Sequence, residues 1–308
     1  MDIKILLCVL GGLGVLFLLP STMYLAIFYN VFHRTKPQLL EKDDLTGTDY
    51  FEYREELKVN IEEAKKLPCE RVEILSRDKK KLRARYYDNK SNTTIILSHG
   101  YRSTGFNNFA LSLKEFLSDN YNVLMIDHRA HGESDGKFMT IGYKEQFDLL
   151  DWIDFATAKY NVDRVFLYGI SMGATAVGLA SNKIETEKVK GLILEAGFTC
   201  FYDEISFGMR NIFIKKPALN FVRLAAKTFL KADITANVQT SLADTNIPVL
   251  FLHGDTDKEV PLSFTEKNYS ACKSKKELKI IKNAGHTLCF YADKEGTKNA
   301  VRSFLENN

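Results

Sequence analysis

Residues 164–180, R-V-F-L-Y-G-I-S-M-G-A-T-A-V-G-L-A, constrain the chain more than any other stretch. The run Val165, Phe166, Leu167, Tyr168 is short, apolar and rich in β-branched and aromatic side chains, which predicts a buried strand. An alanine-rich segment with helical character follows Gly169-Ile170-Ser171-Met172-Gly173. Strand, tight turn and helix in that order place Ser171 at a strained elbow. A side chain at Gly169 or Gly173 would there strike the neighbouring strand or helix. The helix beginning beside Ser171 also aims its free N–H groups and positive dipole end at that position, which favours an oxyanion.

The elbow needs a large sheet to sit on, and 308 residues suffice for one sizeable α/β domain with a full core. The 42 basic and 39 acidic residues nearly cancel to +3, and clusters such as Lys79-Lys80-Lys81 are too short for a nucleic-acid surface. The five cysteines, Cys8, Cys69, Cys200, Cys272 and Cys289, are odd in number and far apart. No Cys-x-x-Cys pair or zinc-ligand spacing occurs, so free, mostly buried thiols and no metal are expected.

Ile3 to Phe32 is overwhelmingly apolar and long enough to cross a hydrocarbon layer of about 30 Å, with Tyr24, Tyr29 and Phe32 where an interfacial aromatic belt would lie. The run exceeds the apolar core of a signal peptide and no small-x-small cleavage site follows, so the expectation is an uncleaved transmembrane anchor over 1–33. Lys4 precedes the span, whereas Arg34, Lys36 and Lys42 follow it, which orients the bulk of the chain toward the cytoplasm by a margin of one or two charges. Residues 34–69 read as an amphipathic linker helix with Tyr50, Phe51, Tyr53 and Leu57 spaced loosely like a helix face, continued by Ile61, Ala64 and Leu67 and ended by Pro68.

From Arg71 onward, strand and helix patterns alternate. Val72–Leu75 and Leu82–Tyr86 form a predicted hairpin. Further strands are expected at Thr93–Leu97, Val123–Ile126, Val189–Leu194, Val249–Leu252 and Leu278–Ile281. Helices are expected at Phe109–Leu117, Gln146–Tyr160, Leu262–Ala271 and Tyr291–Leu305. Such alternation implies a mainly parallel sheet covered on both faces, with ligands beyond the carboxyl ends of its strands.

A serine hydroxyl needs an imidazole to take its proton and a carboxylate to orient that imidazole. His286 stands directly after the strand Leu278–Ile281, and the carboxylates follow Val249–Leu252 in His253-Gly254-Asp255-Thr256-Asp257. Asp255 and Asp257 also suit a plain turn. The order Ser171, Asp257, His286, with each residue just beyond a strand, is the order of a nucleophilic triad. The N–H groups of Met172 and of Tyr101, in Ser98-His99-Gly100-Tyr101-Arg102, are the candidate oxyanion donors, with the Tyr101 side chain available to assist.

Together His99-Gly100, Asp127-His128-Arg129-Ala130-His131-Gly132-Glu133-Ser134, Gly169-Ile170-Ser171-Met172-Gly173, His253-Gly254-Asp255-Thr256-Asp257 and Gly285-His286 resemble the α/β-hydrolase superfamily. The narrower resemblance is to its bacterial membrane-anchored branch, grouped with serine aminopeptidases (S33) and monoglyceride-lipase-like esterases. It covers about residues 70–306 and implies an α/β-hydrolase fold for a catalytic domain over 70–308, a helical cap over about 200–243, and no cofactor or metal. It also implies that Asp127, Arg129 and His131 brace the loop near the oxyanion site. Tyr101-Arg102-Ser103 departs from the Gly-rich form found in many lipases. The aromatic and methionine content between Phe198 and Leu230 predicts an apolar acyl-binding pocket under the cap. The expected activity is hydrolysis of carboxylic esters or related small acyl compounds through a Ser171 acyl-enzyme. A peptidase of the aminopeptidase type and a non-catalytic hydrolase-fold binding protein at the membrane are the alternatives.

Overall fold

A computed structural model describes residues 22, 24–35, 49–160 and 162–308. Its centre is a sheet of eight strands: β1 (Glu70–Leu75), β2 (Lys81–Tyr87), β3 (Thr93–Ser98), β4 (Asn122–Asp127), β5 (Arg164–Ile170), β6 (Val189–Glu195), β7 (Val249–Gly254) and β8 (Lys276–Ile281). The spatial order is β1-β2-β4-β3-β5-β6-β7-β8. The β1–β2 and β2–β4 pairs are antiparallel and every later pair is parallel. The hairpin therefore closes one edge, and the elbow strand β5 lies inside the sheet.

Strands β3, β4 and β7 are buried along their whole length, which is why they read as unbroken apolar runs rather than alternating ones. Helices α4 (Glu145–Lys159), α5 (Met172–Ala180) and α8 (Val238–Asp244) contribute Trp152, Ile153, Val177, Val238 and Leu242 to the core on one face. On the other, α3 (Gly105–Ser118) and α11 (Lys294–Glu306) bury Phe109, Leu113, Phe116 and Phe304. Thr104 starts α3 by accepting the Asn107 N–H, a side-chain cap of the ordinary kind. The helix expected at Tyr291–Leu305 is two helices, α10 (Cys289–Ala292) and α11. Asp293 breaks the run because its carboxylate accepts the Gly296 N–H and caps α11.

Helix α2 (Arg54–Lys65) buries Leu57, Ile61 and Ala64, while residues 36–48 of the expected linker lie outside the described residues. Between β6 and β7 the chain makes α6 (Phe201–Gly208), α7 (Lys215–Ala225), a π-helical turn at Ala226–Leu230, and α8. The helix α9 (Leu262–Ala271) follows β7.

The membrane-spanning reading of 1–33 is not supported. Residues 24–32 form a helix, α1, that packs on the domain with Phe28 and Phe32 buried. The aromatic residues expected at a lipid interface have protein partners: Tyr24 stacks on Phe221 at 4.6 Å, Tyr29 stacks on His33 at 3.9 Å, and Phe32 meets Phe201 at 5.9 Å. Burying a phenylalanine away from water stabilises by about 1.5–3 kcal/mol, and a protein surface supplies that burial as lipid would. Main-chain bonds from Arg34 N–H to the Lys137 carbonyl and from Met139 N–H to the Phe32 carbonyl fix the end of α1. Among the described residues no helix is long and apolar enough to cross a membrane, and residues 1–21, including Cys8, lie outside them. Cys69, Cys200, Cys272 and Cys289 are free thiols, Cys69 alone of these four being exposed.

Candidate active site

Ser171 occupies the turn between β5 and α5 at φ 55° and ψ −117°, a conformation that side chains rarely adopt. Its Cα geometry is held from both sides. A Cβ on Gly169 would lie 2.4 Å from the Gly173 carbonyl oxygen, and one on Gly173 would lie 1.9 Å from that of Ser98. The Ser171 N–H donates to the Glu195 carbonyl at 2.8 Å, which ties the elbow to β6.

His286 lies in the loop after β8. Its Nε2 is 3.0 Å from Ser171 Oγ, and its Nδ1 is 2.7 Å from Asp257 Oδ2. Asp257, in the loop after β7, accepts the Glu259 and Val260 N–H groups on Oδ1, both at 2.9 Å. Burial opposes its charge, but attraction and hydrogen bonding from His286, then His253 and the Val260 N–H, outweigh burial and lower its pKa. Burial likewise opposes protonation of His286, and the field and hydrogen bond of Asp257, with Glu259 and Glu204 behind it, turn the balance upward. Asp255 takes no part: its Oδ1 accepts the Asn283 N–H at 2.6 Å, closing the turn between the two loops.

His253 also approaches Asp257, with Nε2 3.4 Å from Oδ2, yet it faces away from Ser171. Its Nε2–H donates to the Val260 carbonyl at 3.0 Å and its Nδ1 accepts the Thr265 hydroxyl at 2.8 Å. Burial holds its pKa below the usual range, so it acts as a neutral brace.

The oxyanion loop sits against the elbow, since a Cβ on Gly100 would be 3.4 Å from Ser171 Cβ. Asn108 Oδ1 accepts the Gly100 N–H, and neither the Tyr101 nor the Met172 N–H has a backbone acceptor among the described residues. The Tyr101 side chain does not assist: its hydroxyl donates to the Val31 carbonyl of α1 at 2.8 Å. His99, His128 and His131 pack edge to face beneath this loop, with burial pushing His99 down to about 4 and His131 down to about 3. All three are therefore neutral props, and His131 Nε2 accepts the Arg102 N–H. Arg129 makes a paired contact with buried Asp148 at 2.7 and 2.6 Å and also reaches Asp78, while Asp127 accepts the Glu133 N–H. These residues hold the loop and do not touch the hydroxyl.

A cavity of about 340 Å³ opens over Ser171 and His286. Its walls are mostly apolar, with Phe198, Phe201, Ile205 and Met209 from the segment after β6, Val31 from α1, and Tyr50 from the segment before α2. A larger surface cleft of about 440 Å³, near Arg77 and Lys183, lies away from the serine. The unexpected member of the Ser171 cavity is Glu204. Its Oε2 is buried without a hydrogen-bond partner among the described residues, and burial pushes its pKa up to about 7, with His286 opposing and Asp257 and Glu259 adding. Two adjacent acidic residues, Asp203 and Glu204, inside an aromatic stretch give no local pattern from which this placement could be read.

A mainly parallel sheet with a serine elbow after an inner strand, the acid after β7 and the imidazole after β8, in that chain order, is the architecture of the α/β hydrolases. The chain has the fold of that superfamily. Within it, a family model described as serine aminopeptidase, S33, matches residues 89–227. The chain is 29% identical over 220 residues to the uncharacterized protein YqkD of Bacillus subtilis, covering 70% of this chain and 71% of that one. It is 29% identical over 199 residues to human protein ABHD12B, covering 62% and 54% respectively. Among solved structures, the esterase Pf2001 of Pyrococcus furiosus superposes with a TM-score of 0.66 at 26% identity, over 80% of this chain and 94% of that one. Est1E of Butyrivibrio proteoclasticus, solved with ferulic acid, shares the fold with a TM-score of 0.62 at 24% identity, over 77% and 98%.

Proposed function

We propose that this hydrolase cleaves carboxylic esters through an acyl-enzyme on Ser171. The observation that carries the reading is the unbroken row Asp257, His286, Ser171, with separations of 2.7 and 3.0 Å, opening into an apolar cavity. Its likeness to the Pyrococcus esterase, at 26% identity, adds support.

Ser171 Oγ attacks the ester carbonyl carbon while its proton passes to His286 Nε2, and Asp257 stabilises the resulting imidazolium. The carbonyl electron pair moves onto oxygen, where the Tyr101 and Met172 N–H groups receive it. As the carbonyl re-forms, the ester C–O bond breaks and the leaving alcohol takes the proton from Nε2. Water then gives a proton to the same nitrogen, adds to the acyl carbon and releases the carboxylic acid, and Ser171 regains its hydrogen. The cavity walls suit an apolar acyl or alcohol part of modest size.

Short-chain nitrophenyl esters test the reading directly. The wild type is expected to turn them over, and Ser171→Ala is expected to abolish turnover while leaving the melting temperature within a few degrees. Turnover surviving in Ser171→Ala would overturn it. One observation favours a peptidase instead: the Glu204 carboxyl in the cavity could meet a substrate amine. Faster cleavage of aminoacyl anilides than of matched esters would select that reading.

A further inference from the structure

The segment 205–232 holds six basic residues, Arg210, Lys215, Lys216, Arg223, Lys227 and Lys231, and no acidic one. Those six charges exceed the net +3 of the entire chain, so the remainder is net acidic and the basic character is concentrated here. Among the described residues, none of the six makes an ion pair within 4 Å, although Asp233, just past the segment, is near enough to Arg223 and Lys227 for their attraction to help lower its pKa, and Arg210 lies over the Phe207 ring. Helical spacing sets Lys216, Arg223 and Lys227 along one exposed line of α7 and its continuation, while Ala218, Leu219, Val222 and Ala225 face the protein.

Large apolar side chains stand exposed among these cations. Phe213, in the loop between α6 and α7, is 103% exposed with Ile212 and Ile214 beside it, and Leu224 and Phe229 are 64% and 66% exposed. The neighbouring α1, joined to this segment through the Tyr24–Phe221 and Phe28–Phe229 ring contacts, adds Leu25 and Tyr29 at 56% and 54%. Exposed apolar residues scattered singly need no explanation, but a group of this size interleaved with an excess of cations does.

We infer that this face, formed by α1, α7 and the 209–214 loop, docks onto the surface of a bilayer containing anionic phospholipid. The headgroups satisfy the six cations, and the acyl boundary takes Phe213, Ile212, Leu224 and Phe229. A folded protein partner would need both an acidic rim and apolar sockets of matching shape, whereas an anionic bilayer presents both without specific fit. The sequence runs the same way: residues 5–19, which lead into α1, carry no charged side chain. Val31 and Met209 belong to the same pieces and line the Ser171 cavity, so docking would bring the cavity roof to the lipid. Binding is independent of the chemistry proposed for Ser171 and is measurable in Ser171→Ala, so the two readings fail separately.

The test places a reporter on the face itself, using the full chain carrying Phe213→Trp. The native Trp152 is fully buried and serves as an internal reference. With vesicles of phosphatidylcholine containing about a third phosphatidylglycerol, brominated acyl chains are expected to quench the new tryptophan, and not with phosphatidylcholine alone. Each basic side chain near such a surface is worth about fivefold in partition, so Lys216→Gln, Arg223→Gln and Lys227→Gln together should lower it about a hundredfold. High salt should act in the same direction. A tryptophan at 213 that stays unquenched, whether the chain floats free or sediments with the vesicles through its N-terminal residues, overturns the inference. So does blue-shifted emission that follows protein concentration without lipid, which marks a second copy as the occupant.

Discussion

Exchanging Asp257 for asparagine separates the proton relay from the scaffold around it. The asparagine oxygen can keep the Glu259 and Val260 N–H bonds that Asp257 Oδ1 now accepts at 2.9 Å, so the loop after β7 should hold its shape. The amide nitrogen would then face His286 Nδ1, at the position where the carboxylate now lies 2.7 Å away. An amide N–H donates, so Nδ1 must accept and the ring proton moves to Nε2. There it points at Ser171 Oγ and cannot receive the serine proton. Trading a triad carboxylate for an amide costs about 10⁴ in kcat, or about 5.4 kcal/mol of activation free energy. Stability should change by about 1 kcal/mol or less. The pH profile carries an independent sign. The base works only when neutral, so activity falls as pH drops through the imidazole pKa. Burial lowers that pKa, and Asp257 supplies the largest opposing attraction, so the acid limb of kcat/KM should lie above the ordinary histidine value of 6.5 in the wild type and move down in Asp257→Asn. The assay is nitrophenyl butyrate hydrolysis against pH, with melting temperature alongside. An Asp257→Asn protein that keeps more than a tenth of the wild-type rate, or an acid limb that moves upward, would refute the reasoning.

Two further outcomes follow from neighbouring residues. Gly173→Ala places a methyl group 1.9 Å from a backbone oxygen that cannot swing away, so thermal unfolding should show a loss of about 3 kcal/mol or more, or no folded protein at all. Glu204, pushed up to about 7 by burial, acquires charge inside an apolar cavity as pH rises past neutrality. KM for an uncharged ester should therefore climb above pH 7, and Glu204→Gln should flatten that rise.

The parallel strands were readable because a strand covered on both faces must be apolar throughout, as β3, β4 and β7 are. The elbow was readable because two glycines around a serine answer a steric demand within five residues. His286 and Asp257 were found by strand ends rather than by local pattern, and the structure brings both to Ser171. What sequence could not give depends on partners distant in the chain. Phe28 and Phe32 read as lipid-facing because a hydrophobic run looks the same whether it meets acyl chains or Phe201 and Phe229. The break between α10 and α11 rests on a capping bond from a single aspartate, and the Tyr101 hydroxyl was claimed by a carbonyl 70 positions earlier. Glu204 lay unnoticed because burial, not pattern, gives it its character.

Rapid mixing of the full chain with a nitrophenyl ester, acid quenching and mass analysis of the peptide bearing Ser171 tests the central claim most directly. The account predicts one acyl group on that peptide, formed in step with a burst of nitrophenolate and absent in Ser171→Ala. Steady hydrolysis with the peptide unmodified, or acylation at a different residue, would contradict it.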